Sequence, residues 1–301
     1  MSPAQKLTVA VTGPTGTFGF GLIPLLQASD RVGKIIGIAR RPFDPSEHGW
    51  SKMEYRQGDV RDPDALIDAF AGADVVVHLA FMITGNASRA ATRAINVDGT
   101  LNVFREASHA GAERFVYASS VAAYGFHPDN PVPLTEEWPV RPAAKLFYAQ
   151  EKAEIEHLLA AESRSYPELG LYLLRPPIVL GPHAVGAKSV LPGPFEAIVK
   201  AVAGAVGRTS LPVPAVVPQM PVQFIHEDDV GSAFMACVLG DGPPGAYNIT
   251  GDGVLTGAEV AREAGITPLA VPAQVGHAAA RLAAAIPTPG FLPPATEWVE
   301  A

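Results

Sequence analysis

The chain has little cysteine and few charged residues for its length. A single cysteine among 301 residues, Cys237, excludes an intramolecular disulfide, so we expect a reducing compartment, the cytoplasm. The N-terminal residues contain no apolar segment of signal-peptide length, which agrees with this expectation. Charged residues make up 17% and the formal net charge is −8. This balance argues against a nucleic-acid partner, because nucleic-acid surfaces need clustered lysine and arginine.

Long uninterrupted apolar runs are also absent. The most apolar late segments, 195–207 and 278–292, are interrupted by charged residues or prolines and fall short of the ~20 apolar residues that span a bilayer. We interpret both as helices that line or cover an apolar pocket, and we expect no membrane partner. With 48% hydrophobic residues, the chain is long enough for one large α/β domain and a small lobe.

The sequence does contain a glycine-rich turn directly after its first apolar stretch. Thr8 to Val11 is a short β-prone run, and Gly13, Gly16 and Gly19 then recur at every third residue. The first glycine permits a sharp turn, the second a close approach of a pyrophosphate, and the third tight packing of the following helix on the sheet. Amide groups at the helix N-terminus would bind the phosphates. The pattern predicts a dinucleotide-binding unit.

The end of the second predicted strand, residues 34–39, indicates which dinucleotide binds. An acidic residue there binds the adenosine ribose, whereas a basic one accommodates a 2′-phosphate. This chain has Arg40 and Arg41 and no carboxylate, which favours NADP(H) over NAD(H); the alternative is that both arginines are solvated surface charges. Asp59, after the third predicted strand, is a candidate to bond the adenine amino group.

Apolar strands alternate with helices along the first half of the chain. This alternation predicts a doubly wound parallel sheet with right-handed crossovers. The further strands are expected at 74–79 and 114–119, and the helices at 62–71, 87–110 and 148–163. Leu79, Ala80 and Phe81 mark the carboxyl end of a central strand, where open α/β sheets bind ligands. We interpret His78, inside that strand, as a core histidine.

Tyr148 and Lys152 are spaced to lie on one face of a helix. An ammonium beneath a phenol favours its ionised form, so we expect a lowered pKa for Tyr148 and a role as general acid or base. Ser119 and Ser120 end a predicted central strand, and we expect both to point into the crevice that the glycine turn borders. Ser120 would then hydrogen-bond the substrate oxygen.

Several other polar residues have simpler interpretations. The eight histidines show no metal-ligand spacing, so no metal is expected. The run His226 to Asp229 is interpreted as a strand end followed by a helix start with carboxylates near it. Cys237 lies among apolar residues and is interpreted as a buried, inert thiol. Ser120 lacks the GxSxG elbow of hydrolases.

In order along nearly the whole chain, these motifs resemble those of the extended short-chain dehydrogenase/reductases, which include the NAD-dependent epimerase/dehydratase group. The matching segments are Thr12 to Gly19, Gly58 to Arg61, His78 to Ala80, Asn96-Val97, Ser119-Ser120, Tyr124-Gly125, Tyr148 with Lys152, Leu174 to Pro176, Gly181-Pro182, Phe224 to His226, Asp229-Val230 and Tyr247-Asn248.

The resemblance implies catalytic roles for Ser120, Tyr148 and Lys152. It also implies that Lys152 binds the nicotinamide ribose, and it makes Asn96 a structural or proton-relay candidate. The cofactor-binding positions expected from the motifs and the resemblance together are Gly13, Thr15, Gly16, Thr17, Phe18, Gly19, Arg40, Asp59, Val60, Leu79, Ala80, Phe81, Asn96, Tyr148, Lys152 and Pro176.

Three departures from the family pattern narrow the expected substrate. Ile178 stands where sugar-nucleotide enzymes usually have asparagine, and Val222-Gln223 stand where they tend to have a basic residue. Val121-Ala122 replace the Asp-Glu of dehydratases, which disfavours 4,6-dehydration. The apolar segments at 211–222 and 278–287 suit a weakly polar alcohol, ketone or aldehyde.

We therefore expect a Rossmann-type domain of residues 1–180 plus about 223–252, and a substrate lobe of about 183–222 plus 253–301. The C-terminal part is either truncated or naturally shorter than in related chains. The expected activity is that of an NAD(P)-dependent oxidoreductase acting on a small molecule. The alternatives are a sugar-nucleotide epimerase with tightly bound NAD and a non-catalytic dinucleotide-sensing protein, although Ser120, Tyr148 and Lys152 argue against the latter. A homodimer is compatible with the resemblance.

Overall fold

Seven parallel strands form the central sheet, in the order β11-β6-β5-β4-β1-β2-β3. The computed structural model describes residues 6–83, 88–144, 146–184, 214–218, 221–263 and 267–271. The sheet strands are β1 (Leu7–Thr12), β2 (Val32–Ala39), β3 (Met53–Gln57), β4 (Val75–His78), β5 (Arg114–Ala118), β6 (Gly170–Arg175) and β11 (Gly245–Asn248). The predicted doubly wound parallel fold is confirmed, and the strand order reverses at β1, where such sheets bind ligands.

Helices cover both faces of the sheet. They are α1 (Thr17–Ala28), α2 (Pro63–Phe70), α3 (Arg89–Arg93), α4 (Gly99–His109), α5 (Phe147–Glu162), α6 (Glu227–Leu239) and α7 (Gly257–Glu263). Helix α2 begins after Asp62, whose carboxylate accepts hydrogen bonds from the amides of Asp64 and Ala65, as the sequence predicts. Helix α6 begins after His226 and carries three acidic residues in its first turn, which confirms the interpretation of that run.

Alternating strand residues supply two hydrophobic cores. Val9 and Val11 of β1 face the core formed with α1 and α6, whereas Ala10 faces the core formed with α2, α4 and α5. Strand residues in these positions are fully buried, which is why the strands appear as continuous apolar runs in the sequence. The carboxyl ends of β1, β4 and β5 consequently lie side by side at one edge of the sheet.

Within the part of the chain that the structure describes, three short strand pairs lie outside the main sheet. They are β7 (Ile178–Leu180) with β10 (Phe224–His226), β9 (Pro221–Val222) with β12 (Leu255–Thr256), and β8 (Pro214–Pro218) with β13 (Thr267–Val271). Much of the predicted substrate lobe, including both expected apolar helices at 195–207 and 278–292, lies outside the described residues. The division into two domains stays a prediction.

The helix expected over 87–110 is not continuous. It is divided into α3 and α4 by a π turn, Ala94–Asp98, whose backbone is one residue wider than an α-helical turn. Asn96 lies in this turn, fully buried, and its side chain bonds the backbone of Met82. The expectation of one helix was wrong because apolar periodicity does not report an inserted residue.

Helices α1 and α6 cross at two glycines. A Cβ added to Gly21 would lie 2.2 Å from the carbonyl oxygen of Glu227, and one added to Gly231 would lie 2.2 Å from the carbonyl oxygen of Gly21. Only glycine permits backbones this close. Gly19 was expected to permit close packing of α1 on the sheet. Its added Cβ would instead lie 2.0 Å from the carbonyl oxygen of Pro14, in the glycine turn itself.

No helix within the described ranges is both long enough and apolar enough to cross a lipid bilayer.

Candidate active site

The glycine turn connects β1 to α1 with little space for side chains. Gly13 has φ +69°, and a Cβ there would lie 2.9 Å from the amide nitrogen of Ala80, at the end of β4. At Gly16 an added Cβ would meet only the carbonyl oxygen of Gly13, at 3.5 Å, and Thr15 and Gly16 are exposed. The turn therefore presents bare backbone to the carboxyl edge of the sheet, which suits the close approach of a pyrophosphate.

Helix α1 begins at this turn without the usual capping groups. Its N-cap, Gly16, has no side chain, and no acidic residue occupies the first turn. The positive end of the helix dipole is thus left without a carboxylate from its own first turn. The hydroxyl of Thr17 donates to the carbonyl of His183 at 2.9 Å, and the Phe18 ring packs on Phe234 with a centroid distance of 5.9 Å.

The predicted adenosine-binding residues follow β2 and β3. Arg40 is exposed, and its positive charge helps to lower the pKa of the Asp59 carboxyl; the larger cause is the hydrogen bond from Arg61. Both oxygens of Asp59 accept hydrogen bonds from the Arg61 guanidinium, at 3.0 and 2.7 Å. Val60 is buried and packs against Gly99 at the start of α4. Whether Arg40 and Asp59 contact a cofactor stays a prediction.

His78 is a core histidine, as the sequence predicts. Its Nδ1 lies 2.7 Å from the hydroxyl of Thr12 and its Nε2 lies 2.9 Å from that of Thr100. The Thr100 hydroxyl donates to the carbonyl of Asn96, so it accepts from Nε2–H, and Nδ1 accepts from Thr12. Burial, together with the charge of Lys152, lowers the pKa of His78 to about 3, so its ring is neutral.

Lys152 is buried beneath the carboxyl ends of β4 and β5. Its Nζ donates to the carbonyl oxygen of Ala118 at 2.5 Å and to the hydroxyl of Tyr117 at 3.2 Å. It lies 3.8 Å from the centroid of the Phe81 ring and 5.9 Å from that of Tyr148. Burial lowers the pKa of Lys152 to about 7, while the charges of Glu156 and Glu151 oppose that change.

Tyr148 and Ser120 are hydrogen-bonded to each other, which brings the two predicted catalytic hydroxyls together. Burial raises the pKa of the Tyr148 phenol, and the hydrogen bond with Ser120 partly opposes this rise. The expected lowering of this pKa was therefore wrong for the described structure. The Lys152 ammonium donates to the carbonyl at the end of β5, and burial outweighs the hydrogen bond with Ser120 in its effect on the pKa of the phenol.

Ser119 does not share the crevice with Ser120, contrary to expectation. Its hydroxyl donates to the buried carboxylate of Glu156 on α5. The same carboxylate pairs with Arg175 at the end of β6, with Nε–Oε1 3.0 Å and Nη2–Oε2 2.5 Å. Strand parity explains the direction, because Ser119 lies two residues after Tyr117, which faces α5.

Asn96 joins the loop after β4 to α5. Its Oδ1 accepts from the Met82 amide at 2.7 Å, and its Nδ2 donates to the Met82 carbonyl at 3.0 Å and to Glu151 at 2.7 Å. Burial raises the pKa of the Glu151 carboxyl. These bonds fit the structural role that was one of the two expected for Asn96.

Two further predicted residues have clear surroundings. The Pro176 carbonyl accepts from the Val121 amide at 3.1 Å, so it fixes the turn that follows Ser120. Cys237 is buried, and burial raises the pKa of its thiol to about 11, which agrees with an inert side chain. Within the described segments, no group of three or more His, Cys, Asp or Glu side chains is placed to hold a metal ion.

Sequence reasoning missed the Glu156–Arg175 pair. The available signal was a glutamate one helical turn beyond Lys152, on the same helix face.

The model of the NAD dependent epimerase/dehydratase family matches residues 9–250. The chain belongs to this family. Among curated proteins, the uncharacterized protein Rv0501 of Mycobacterium tuberculosis is 27% identical over 276 residues, which cover 90% of this chain and 69% of that protein. Sterol demethylase protein B of Methylococcus capsulatus is 32% identical over 178 residues, which cover 58% of this chain and 52% of that protein.

A solved structure with the same fold is MoeE5 in complex with UDP-glucuronic acid and NAD. It has a TM-score of 0.65 and 24% identity, and the match covers 88% of this chain and 85% of MoeE5. Membership of the epimerase/dehydratase family supports a nicotinamide dinucleotide as cofactor.

Proposed function

We propose that this member of the epimerase/dehydratase family is an NAD(P)-dependent oxidoreductase that interconverts a small, weakly polar alcohol and its carbonyl compound. The observation that carries the proposal is the Ser120–Tyr148 hydrogen bond at the carboxyl edge of the sheet, with Lys152 buried on the same helix as Tyr148. Two hydroxyls side by side at the ligand-binding edge suit a substrate with one reacting oxygen.

The residues of the glycine turn fit a dinucleotide. The bare backbone at Gly13 and Gly16 and the uncapped start of α1 would hold the pyrophosphate. Thr15, Thr17 and Phe18 continue this surface, Gly19 is buried behind it, and Leu79, Ala80 and Phe81 border it at the end of β4. The nicotinamide, when bound, supplies or accepts the hydride. Arg40, exposed after β2, supports a preference for NADP(H) over NAD(H).

Tyr148 is the proposed general acid and base. Because its pKa is raised, the phenol keeps its proton at neutral pH, which is the form needed to protonate a carbonyl oxygen during reduction. Ser120 would donate a second hydrogen bond to the same oxygen. The buried amine of Lys152 holds the end of β5 at Ala118, two residues before Ser120, and thereby fixes the distance between Ser120 and α5.

A weakly polar substrate is supported by the residues near β7 and β9. Ile178 occupies the position where sugar-nucleotide enzymes usually have asparagine. Its side chain is 48% exposed, so this position presents an apolar surface. Val222 stands where those enzymes tend to have a basic residue, and it pairs with Leu255 in the small β9–β12 sheet. The relative named Sterol demethylase protein B gives independent support for an apolar substrate class.

A sugar-nucleotide epimerase that uses tightly bound NAD is the second candidate. It is supported by the family's description and by MoeE5, which binds UDP-glucuronic acid and NAD on the same fold. Both candidates use the same hydroxyls, and the preference for the oxidoreductase rests on the apolar residues Ile178 and Val222. The difference lies in whether the cofactor exchanges with solvent during each catalytic cycle.

Cofactor content and exchange test the proposal. The purified protein is denatured and its released nucleotide measured by absorbance, and then the native protein is titrated with NADPH and NADH by fluorescence. Exchangeable NADPH binding, followed by reduction of one or more members of an aldehyde and ketone panel, supports the oxidoreductase. Retained NAD that does not exchange, together with conversion of a UDP-sugar, would replace it by the epimerase. Exchangeable binding with turnover of neither substrate class would favour a dinucleotide sensor.

The proposal also covers the location of the protein in the cell, its oligomeric state and the division of the chain into domains. The single cysteine supports a cytoplasmic site of action. The family resemblance supports a homodimer, which sedimentation equilibrium would measure directly. The substrate lobe is proposed to comprise about 183–222 and 253–301.

A further inference from the structure

A buried ion pair connects three elements behind the two catalytic hydroxyls. Glu156 and Arg175 are 3% and 4% exposed, and the Glu156 carboxylate also accepts from Ser119. The Arg175 guanidinium donates further to the Tyr124 hydroxyl and to the carbonyl of Glu136. Strand β5, helix α5 and strand β6 are thereby joined at the edge where Ser120 and Tyr148 meet.

Stability alone is a weak reason for such a pair. Removing two charges from water is expensive, and well-packed apolar residues in the same space are often equally stable or more stable. The position of Glu156 suggests another purpose, because it lies one helical turn beyond Lys152, and Lys152 bonds Ala118, the residue before Ser119. Ala118, the last residue of β5, and Ser119, which follows it, are thus held by adjacent turns of α5.

We propose that Glu156 is a positioning residue for the Ser120, Tyr148 and Lys152 site: it holds the Ser119–Ser120 turn against α5, places a carboxylate one helical turn from Lys152, and is itself fixed by Arg175. This inference rests on the proposed function, because the site it serves is the one assigned there. Glu156 contacts neither Ser120 nor Tyr148 in the described hydrogen bonds and acts through Ser119 and Lys152.

The charge part of this role follows from the surroundings of Lys152. The neighbouring aromatic, titratable and charged groups are Tyr148, Glu151 and Glu156 on α5, Tyr117 on β5, His78 on β4 and the Phe81 ring after β4. His78 is neutral, and burial raises the pKa of Tyr117 well above its ordinary value, so neither carries charge near neutral pH. The carboxylates of Glu156 and Glu151 are therefore the groups that favour the ammonium against the effect of burial.

The test measures the titration of Lys152 directly. Protein labelled with ¹³C at lysine Cε is titrated by NMR, and the Lys152 signal is assigned with Lys152→Met. In Glu156→Gln we expect the acid dissociation constant of Lys152 to rise ~10-fold or more, which corresponds to about one pKa unit. Glu162→Gln is the matched control, because it removes a carboxylate from the same helix that pairs with Arg105 near the surface. A Lys152 titration that is the same in both variants and in the wild type would overturn the proposal.

Glu156→Gln leaves Arg175 without its partner, so folding is checked by circular dichroism and thermal unfolding. The double variant Glu156→Gln/Arg175→Gln removes both charges and keeps groups that can hydrogen-bond. It is expected to show the same direction of change in the Lys152 titration, and an unchanged titration there would contradict the charge role even if the single variant does not fold.

Ser119→Ala tests the positional role separately. It leaves both charges in place, so the Lys152 titration should stay as in the wild type while kcat for carbonyl reduction falls ~10-fold at an unchanged KM for cofactor, since small displacements of reacting groups are costly. Ser163→Ala, at the end of α5, is the control. Unchanged kcat in Ser119→Ala would overturn the positional role. If the wild type reduces no carbonyl compound, the proposed function fails, and the titration still decides whether Glu156 controls Lys152.

Discussion

The ammonium of Lys152 lies 3.8 Å from the centroid of the Phe81 ring, and the same ring meets Tyr148 edge-on with a centroid distance of 5.5 Å. A residue just after β4 therefore contacts both of the proposed catalytic residues of helix α5. The ring's negative face stabilises the charged form of the amine in a site where burial opposes it.

Phe81→Leu should make Lys152 more acidic. A desolvated cation–π contact contributes ~1–2 kcal/mol, so its loss should raise the acid dissociation constant of Lys152 by ~5–30-fold. The ¹³C NMR titration of lysine Cε measures this change. Phe126→Leu is the control, because Phe126 is 58% exposed. An unchanged Lys152 titration in Phe81→Leu would show that the ring only fills space.

The crossing of α1 and α6 should not tolerate even a methyl group. In Gly231→Ala the new Cβ would lie 2.2 Å from the Gly21 carbonyl oxygen, so the two helices must separate. We expect the free energy of unfolding to fall by ~1–3 kcal/mol, as for other overpacked sites. Urea unfolding measures the effect, with the exposed Ser232→Ala on the same helix as control. Equal stabilities of the two variants would mean that the crossing relaxes at no cost.

Much of the fold could be predicted from the sequence because its signals are local. Buried parallel strands are short apolar runs, and the glycine turn follows the first of them. The strands β1 to β5 can therefore be located from the sequence pattern alone. Asp62-Pro63 at the start of α2 is a similarly local signal.

The remainder depends on tertiary contacts. Tyr148 and Lys152 share a helix face as their spacing predicts, but the pKa of each is set by burial, and burial follows from how α5 packs on β4 and β5. The π turn likewise contains Asn96, whose buried side chain bonds Met82 in a different loop, a contact that local sequence does not report. The direction of Ser119 could have been predicted from the alternation of side chains along β5.

His78 should make stability depend on pH. A histidine titrates near pH 6.5 in the unfolded chain, whereas the folded protein holds the pKa of His78 at about 3. Between these values only the unfolded chain binds the proton, so stability present above pH 6.5 is lost as the pH falls toward 3, at ~1.4 kcal/mol per pH unit for one proton.

Urea unfolding at pH 7, 6, 5 and 4 measures this dependence. The loss of stability with falling pH should be less steep in His78→Gln than in the wild type, while the exposed His157→Gln should keep the wild-type slope. Parallel curves for all three proteins would show that His78 does not contribute, and that carboxylates alone account for acid sensitivity.

Arg40 should discriminate between the two dinucleotides. Arg40→Asp removes an exposed positive charge at the end of β2 and should weaken NADPH ~5–150-fold, equivalent to 1–3 kcal/mol for a charge-assisted phosphate contact. NADH should be affected much less, because it lacks the 2′-phosphate. Fluorescence titration gives both affinities, and Arg164→Asp, beyond the end of α5, is the control. An equal effect on NADPH and NADH would mean that Arg40 is a surface charge without a role in selection.

Tyr148→Phe is the most direct measurement of the central claim, that the Tyr148 hydroxyl transfers the proton during carbonyl reduction. The variant keeps the ring that packs on Phe81 and loses only the group that bonds Ser120. With the carbonyl substrate found in the panel, we predict a ~10²-fold or greater loss of turnover and a cofactor affinity within a few-fold of the wild type. Tyr166→Phe, remote from the site, should behave as the wild type. Turnover retained by Tyr148→Phe would contradict the account.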